Sequence, residues 1–142
     1  MRRSIVVGAA VTIAAAGVLL VVLHDEPVVP DGAVRVTMSV DRSALGGRTE
    51  TSALNRGIPE IIAALNSLPG KARGEGCFLA LRPSYRMRFE YPDGSDRTVV
   101  FDLNCASVKS PDAVRYGDIT KALDAYAQNY RAQGGTPPGP PW

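Results

Sequence analysis

The side chains best suited to chemistry in this 142-residue chain are two cysteines, one histidine and fourteen carboxylates. Their placement excludes most familiar arrangements. His24, the only histidine, directly follows a long apolar run, so no imidazole is available inside the rest of the chain. A Ser-His-Asp or Cys-His pair therefore cannot be assembled there. A metal site built on histidine needs more than one imidazole, so that class falls as well. Asp93-Gly94-Ser95-Asp96 offers oxygen ligands of the kind calcium takes, but it lacks the length and closing glutamate of an EF-hand loop and reads as a β-turn. Gly46-Gly47 and Gly74-x-Gly76 match neither the Walker nor the dinucleotide pattern. No spacing singles out one carboxylate pair as acid and base. Arg82, Arg86, Arg88 and Arg97 cluster in sequence and read as a solvated face paired with Glu90 and Asp102. The sequence thus supplies no candidate catalytic, cofactor-binding or metal-ligating residue, and an enzyme remains only as an unrecognised type.

Cys77 and Cys105 are expected to pair. They lie on either side of a predicted hairpin, lack a Cys-x-x-Cys spacing, and follow a segment that reads as an export signal. Such a bridge closes a loop of about 28 residues, for which loop-closure entropy gives roughly 3–4 kcal/mol.

That export segment is residues 4–23, an uncharged run of twenty residues after Arg2-Arg3 and before His24-Asp25-Glu26. As a helix it spans about 30 Å, the thickness of a bilayer's hydrocarbon core. The flanking charges put the N-terminus in the cytoplasm and the remainder outside. Val21 and Leu23 stand where a signal peptidase needs small residues, which favours a retained single-pass anchor over a cleaved, secreted product. The net charge of +2 resides in Arg2 and Arg3, leaving fourteen charges of each sign beyond them. A neutral domain has no bulk electrostatic reason to bind nucleic acid.

The elements that would position any site read as α+β. Residues 1–24 are the leader, 25–32 a proline-broken linker, 33–133 the domain, and 134–142 a disordered Pro-rich tail, with a polyproline ligand as the alternative reading. Ala33–Asp41 alternates as a half-buried strand, and Arg48–Ala53 can add a short second one. Ile58–Leu68 is a helix with Ile61, Ile62, Leu65 and Leu68 on one stripe, and Asp118–Arg131 a second helix. Between them, Tyr85, Met87 and Phe89 alternate with arginines, and Val99, Phe101 and Leu103 alternate with polar residues. A five-residue loop, Pro92–Asp96, pairs Phe89 with Val99, Met87 with Phe101, Tyr85 with Leu103, and Arg86 with Asp102. Phe78, Leu79 and Leu81 read as a further buried strand. The expected whole is an N-terminal transmembrane helix, then a small antiparallel sheet packed against two helices.

Two resemblances attach to these residues. The stretch from Cys77 to Cys105, with its Tyr85-x-Met87-x-Phe89-x-Tyr91 strand, Asp93-Gly94 turn and closing cysteine, is similar to small exported actinobacterial proteins, which implies an envelope location. The segment Cys77-Phe78-Leu79-Ala80-Leu81-Arg82-Pro83 resembles the Streptomyces subtilisin inhibitor family, which has a cysteine, five residues and a proline before a hairpin that returns to a partner cysteine. That resemblance implies a serine-protease inhibitor in which Leu79 and Ala80 flank the scissile bond and the disulfide stiffens a substrate-like loop. The broad expectation is a non-enzymatic cell-envelope protein, anchored by residues 4–23, that binds an extracytoplasmic protein or wall component; the inhibitor is the specific alternative.

Overall fold

The computed structural model of the protein describes residues 26–71 and 76–138. The leader, residues 4–23, lies outside that range, and among the described residues no helix is long and apolar enough to cross a membrane. What is described is α+β: six antiparallel strands with two helices on one face. The strands are β1 (Arg35–Asp41), β2 (Thr49–Leu54), β3 (Ser84–Glu90), β4 (Asp96–Asp102), β5 (Ser107–Lys109) and β6 (Val114–Tyr116). They lie in the order β2-β1-β3-β4-β5-β6. Helix α1 (Ile58–Asn66) fills the crossover from β2 to β3, and α2 (Thr120–Ala132) follows β6.

Period-two patterning sets the buried face. Val36, Met38, Val40, Tyr85, Met87, Phe89, Val99, Phe101 and Val108 all point to the helices and are buried. Ile58, Ile61, Ile62 and Leu65 on α1, with Ala122, Leu123, Tyr126 and Ala127 on α2, supply the opposing layer. Burying the Tyr126 ring strands its hydroxyl unless it finds a partner, and Ser52 Oγ on β2 meets it at 2.8 Å. The same desolvation pushes the Tyr126 phenol above its ordinary pKa. Gly57 begins α1 at φ +64°, and a Cβ there would lie 2.1 Å from the Asn129 side chain. Only glycine meets both conditions without strain.

Three expectations need correction. First, the predicted linker is part of the domain. Val28 and Val29 are fully buried in the core. Asn66 accepts from Val29 N at 3.1 Å and donates to Val29 O at 2.7 Å, a two-way clamp on one residue. Tyr91 Oη donates to Pro30 O at 2.6 Å and Arg115 Nη2 to Glu26 O at 2.6 Å. Two valines flanked by prolines look like a spacer, but the sheet and α1 leave an apolar slot that they fill. Second, the tail is not free from residue 134. Pro137 and Pro138 are buried, and Gly135 lies so close to the Tyr130 ring that a Cβ would meet it at 2.3 Å. Third, the hairpin register is displaced by two residues: Phe89 faces Arg97, Met87 faces Val99 and Tyr85 faces Phe101. A shift of two preserves which face each side chain takes, so the core is as expected while the cross-strand partners change. The loop is Tyr91–Ser95, closed by Tyr91 N to Ser95 O at 3.0 Å and Gly94 N to Tyr91 O at 3.0 Å. Asp93 Oδ1 accepts from both Ser95 N and Ser95 Oγ, which fixes an Asx turn rather than an open ligand set.

Candidate functional site

The segment from Cys77 to Pro83 belongs to no strand. Phe78, Leu79 and Leu81 are 72%, 101% and 77% exposed, so the expected buried strand is absent and the apolar side chains stand in solvent. The reason lies in the sheet: β3 begins only at Ser84, where Pro83 precedes it, and β4 already takes β5 as its neighbour on the far side. The strand that this segment leads into, β3, is flanked on both sides by β1 and β4, so residues 77–83 cannot pair beside it. Three large apolar side chains exposed within four residues are unfavourable for the isolated protein and characteristic of a surface that binds.

The loop is held from beneath at several points. Cys77 and Cys105 form a disulfide with Cα atoms 4.2 Å apart, and there are no free cysteines. Phe78 N donates to Asn104 O at 2.8 Å, and Asn104 Nδ2 donates to Ala80 O at 3.0 Å. These contacts bracket the Leu79–Ala80 peptide bond: one falls on the residue before Leu79, the other on the carbonyl of the residue after it. Asn104 is itself fixed by Asp102, whose Oδ1 accepts from Asn104 N at 2.9 Å and Cys105 N at 3.1 Å. Asn104 Oδ1, by contrast, is a buried acceptor with no partner. The turn that carries this apparatus, Leu103–Ala106, joins β4 to β5 and sets Ala106 at φ +46°, the one non-glycine residue at positive φ among those described. Left-handed backbone at an alanine is strained, and strain of that kind concentrates where a site is being built. The arrangement is an exposed, non-strand segment with its apolar side chains in solvent and its backbone tied at the Phe78 N–H and the Ala80 carbonyl.

Beside the bridge runs a shallow apolar groove of about 550 Å³, lined by Val100, Val114, Tyr116 and Lys109 on the face of the sheet away from the helices. It offers one carboxylate, Asp102, and one amine, Lys109. Among the described residues no group of three or more His, Cys, Asp or Glu side chains is placed to hold a metal ion.

The arginines singled out by sequence do not converge. Arg88 donates through Nε to Asp96 at 2.8 Å and also approaches Glu90, while Arg97 pairs with Asp112. Arg86 lies opposite Val100 rather than Asp102 because of the register shift. What sequence reasoning missed is the role of Asn104 and Asp102. A signal was present, since Asp-x-Asn-Cys at a strand end is an Asx-turn pattern, but nothing local reveals that the turn would face a loop some two dozen residues earlier. Compared with known proteins, the chain matches no family model, no curated protein and no solved structure.

Proposed function

We propose that this protein is a non-enzymatic inhibitor of serine proteases, acting outside the membrane, with Leu79-Ala80 as the bond presented to the protease. The observation that carries the reading is the loop: a fully exposed Leu79 between two other exposed apolar residues, on backbone tied down at Cys77, Phe78 and Ala80. The resemblance of Cys77–Pro83 to the subtilisin inhibitor family points the same way. An extended loop of this kind enters a protease cleft as a substrate does. Ordering a free peptide there costs roughly 1–2 kcal/mol per residue in backbone entropy. Here that entropy has been lost during folding, so more of the contact energy appears as affinity. After acyl transfer Ala80, with its freed amine, is kept in place by Asn104 Nδ2 donating to its carbonyl, and the Leu79 side is retained through the disulfide, so resynthesis competes with release. The exported, membrane-tethered setting inferred from residues 4–23 supports an oxidising compartment for the bridge.

The test is a titration of subtilisin with the protein. Stoichiometric inhibition with a nanomolar or lower inhibition constant is expected, and Leu79→Asp is expected to weaken it at least 1,000-fold, about 4 kcal/mol, by placing a charge in an apolar pocket. Since Leu79 touches nothing in the fold, the variant keeps its thermal midpoint. An unaltered protein that fails to slow subtilisin at micromolar concentration ends the reading.

A further inference from the structure

A seven-residue loop is small for a tight complex. Stable interfaces of standard size bury about 800 Å² per partner and engage roughly 20–30 residues a side. If Cys77–Pro83 inserts into a protease, other residues on the same end of the sheet must meet the rim of the cleft. The strand register shows which. Asp41 is paired with Ser84, and Asp102 with Ser107, so the β1–β2 connection and the β4–β5 turn share the end from which the loop projects. The β4–β5 turn is already occupied beneath the loop. The β6–α2 connection starts at the same end but lies across the β4–β5 turn, with Gly117 N donating to Ala106 O at 2.9 Å. The β1–β2 connection, Arg42–Arg48, lies instead beside the start of β3, into which the loop runs.

This connection is built rather than slack. Leu45 N and Gly47 N both donate to Arg42 O, at 2.8 and 3.0 Å, and Gly46 N donates to Ser43 O at 3.0 Å. Gly46 takes φ +75°, and a Cβ on Gly47 would lie 2.7 Å from the Arg42 Cβ. Asp41 Oδ1 accepts from Ser43 N at 2.9 Å, which with the neighbouring hydroxyls holds its carboxyl below the usual carboxylate range. The product of this bracing is a one-turn 3₁₀ helix that holds Leu45 outward, 48% exposed. Of the six large apolar side chains standing exposed among the described residues, three are on the protease-facing loop and Leu45 is on this neighbouring hairpin.

We propose that Arg42–Arg48 is a second contact surface for the same protease, with Leu45 as its apolar anchor. The inference rests on the inhibitor reading above and adds a direction to it. The chain leaves Ala80 through Leu81, Arg82 and Pro83 and enters β3 at Ser84, beside Asp41. The hairpin therefore flanks the part of the cleft that receives residues after the scissile bond, and its partner is a serine protease with apolar surface beside that half of the cleft.

The experiment compares the full protein with Leu45→Asp, Leu45→Ala and Leu79→Asp, measuring inhibition constants and dissociation rates against subtilisin. Leu45→Asp is expected to raise the inhibition constant at least 10-fold and Leu45→Ala about 3- to 10-fold, both through faster dissociation and neither with a change in thermal midpoint or in the bond cleaved. If both Leu45 variants inhibit as the unaltered protein does while Leu79→Asp does not, the second contact is overturned and the inhibitor reading stands. If the unaltered protein does not inhibit, both fall together.

Discussion

A chain that begins at Asp31 is expected to lose most or all of its cooperative fold, whereas one that begins at Asp25 keeps it. The missing residues include Val28 and Val29, both fully buried. Full burial of a valine-sized side chain contributes about 1.5–3 kcal/mol, so the pair contributes roughly 3–6 kcal/mol. Deletion also strands the polar groups that hold the segment: the Asn66 amide, the Tyr91 hydroxyl and one arm of Arg115. Small domains have about 5–15 kcal/mol in total, so the loss approaches the whole. Urea unfolding of the two chains checks this, and equal midpoints would show that the N-terminal strap adds nothing. The same packing bears on export. Residues 4–23 read as a membrane segment, and among the described residues the first clamped group is the carbonyl of Glu26. Any peptidase that trims the leader must therefore cut before Val28, or it releases a domain missing part of its core.

Replacing Cys77 and Cys105 together by serine is expected to have the second large effect, and it should appear in two different measurements. Loop-closure entropy for a separation of 28 residues corresponds to roughly 3–4 kcal/mol of stability, read as a lower urea midpoint. Inhibition should fall further than stability explains. With Cys77 released, Phe78 and its neighbours are held by the Asn104 contacts alone, and freeing even two residues costs about 2–4 kcal/mol on binding, or roughly 30- to 1,000-fold. Measuring the inhibition constant where the variant is still folded separates the two effects. A variant that is less stable yet inhibits fully would show that Asn104 and the sheet hold the loop without the bridge.

The core was readable from sequence because it rests on side-chain period: the strands over Arg35–Asp41, Ser84–Glu90 and Asp96–Asp102 and both helices appear where alternation or helical spacing put them. The three-residue strands β5 and β6 are too short to carry a period, and they exist because β4 offers them an edge. The hairpin register failed by two because alternation is blind to even shifts; Tyr91 joins the loop rather than the strand once its hydroxyl reaches Pro30. Val28-Val29 looked like linker because prolines flank it, and only the filled slot beside Asn66 shows otherwise. The loop was ambiguous in a similar way. Phe78, Leu79 and Leu81 have the composition of a buried strand, and apolar composition does not distinguish a side chain that belongs in the core from one kept for a partner. The fold separates the two, since β3 already has β1 and β4 on its two sides and the segment before it stays outside the sheet.

In the proposed function, Leu79–Ala80 is a substrate bond that a protease cuts slowly and rejoins. Mass spectrometry of the protein incubated with a catalytic amount of subtilisin tests it most directly. The expected result is a slow approach to a stable mixture of intact protein and a single form nicked between Leu79 and Ala80, its halves joined by the disulfide, with the same mixture reached from purified nicked protein. Rapid cleavage to small fragments, a first cut at another bond, or no cut at all would contradict it.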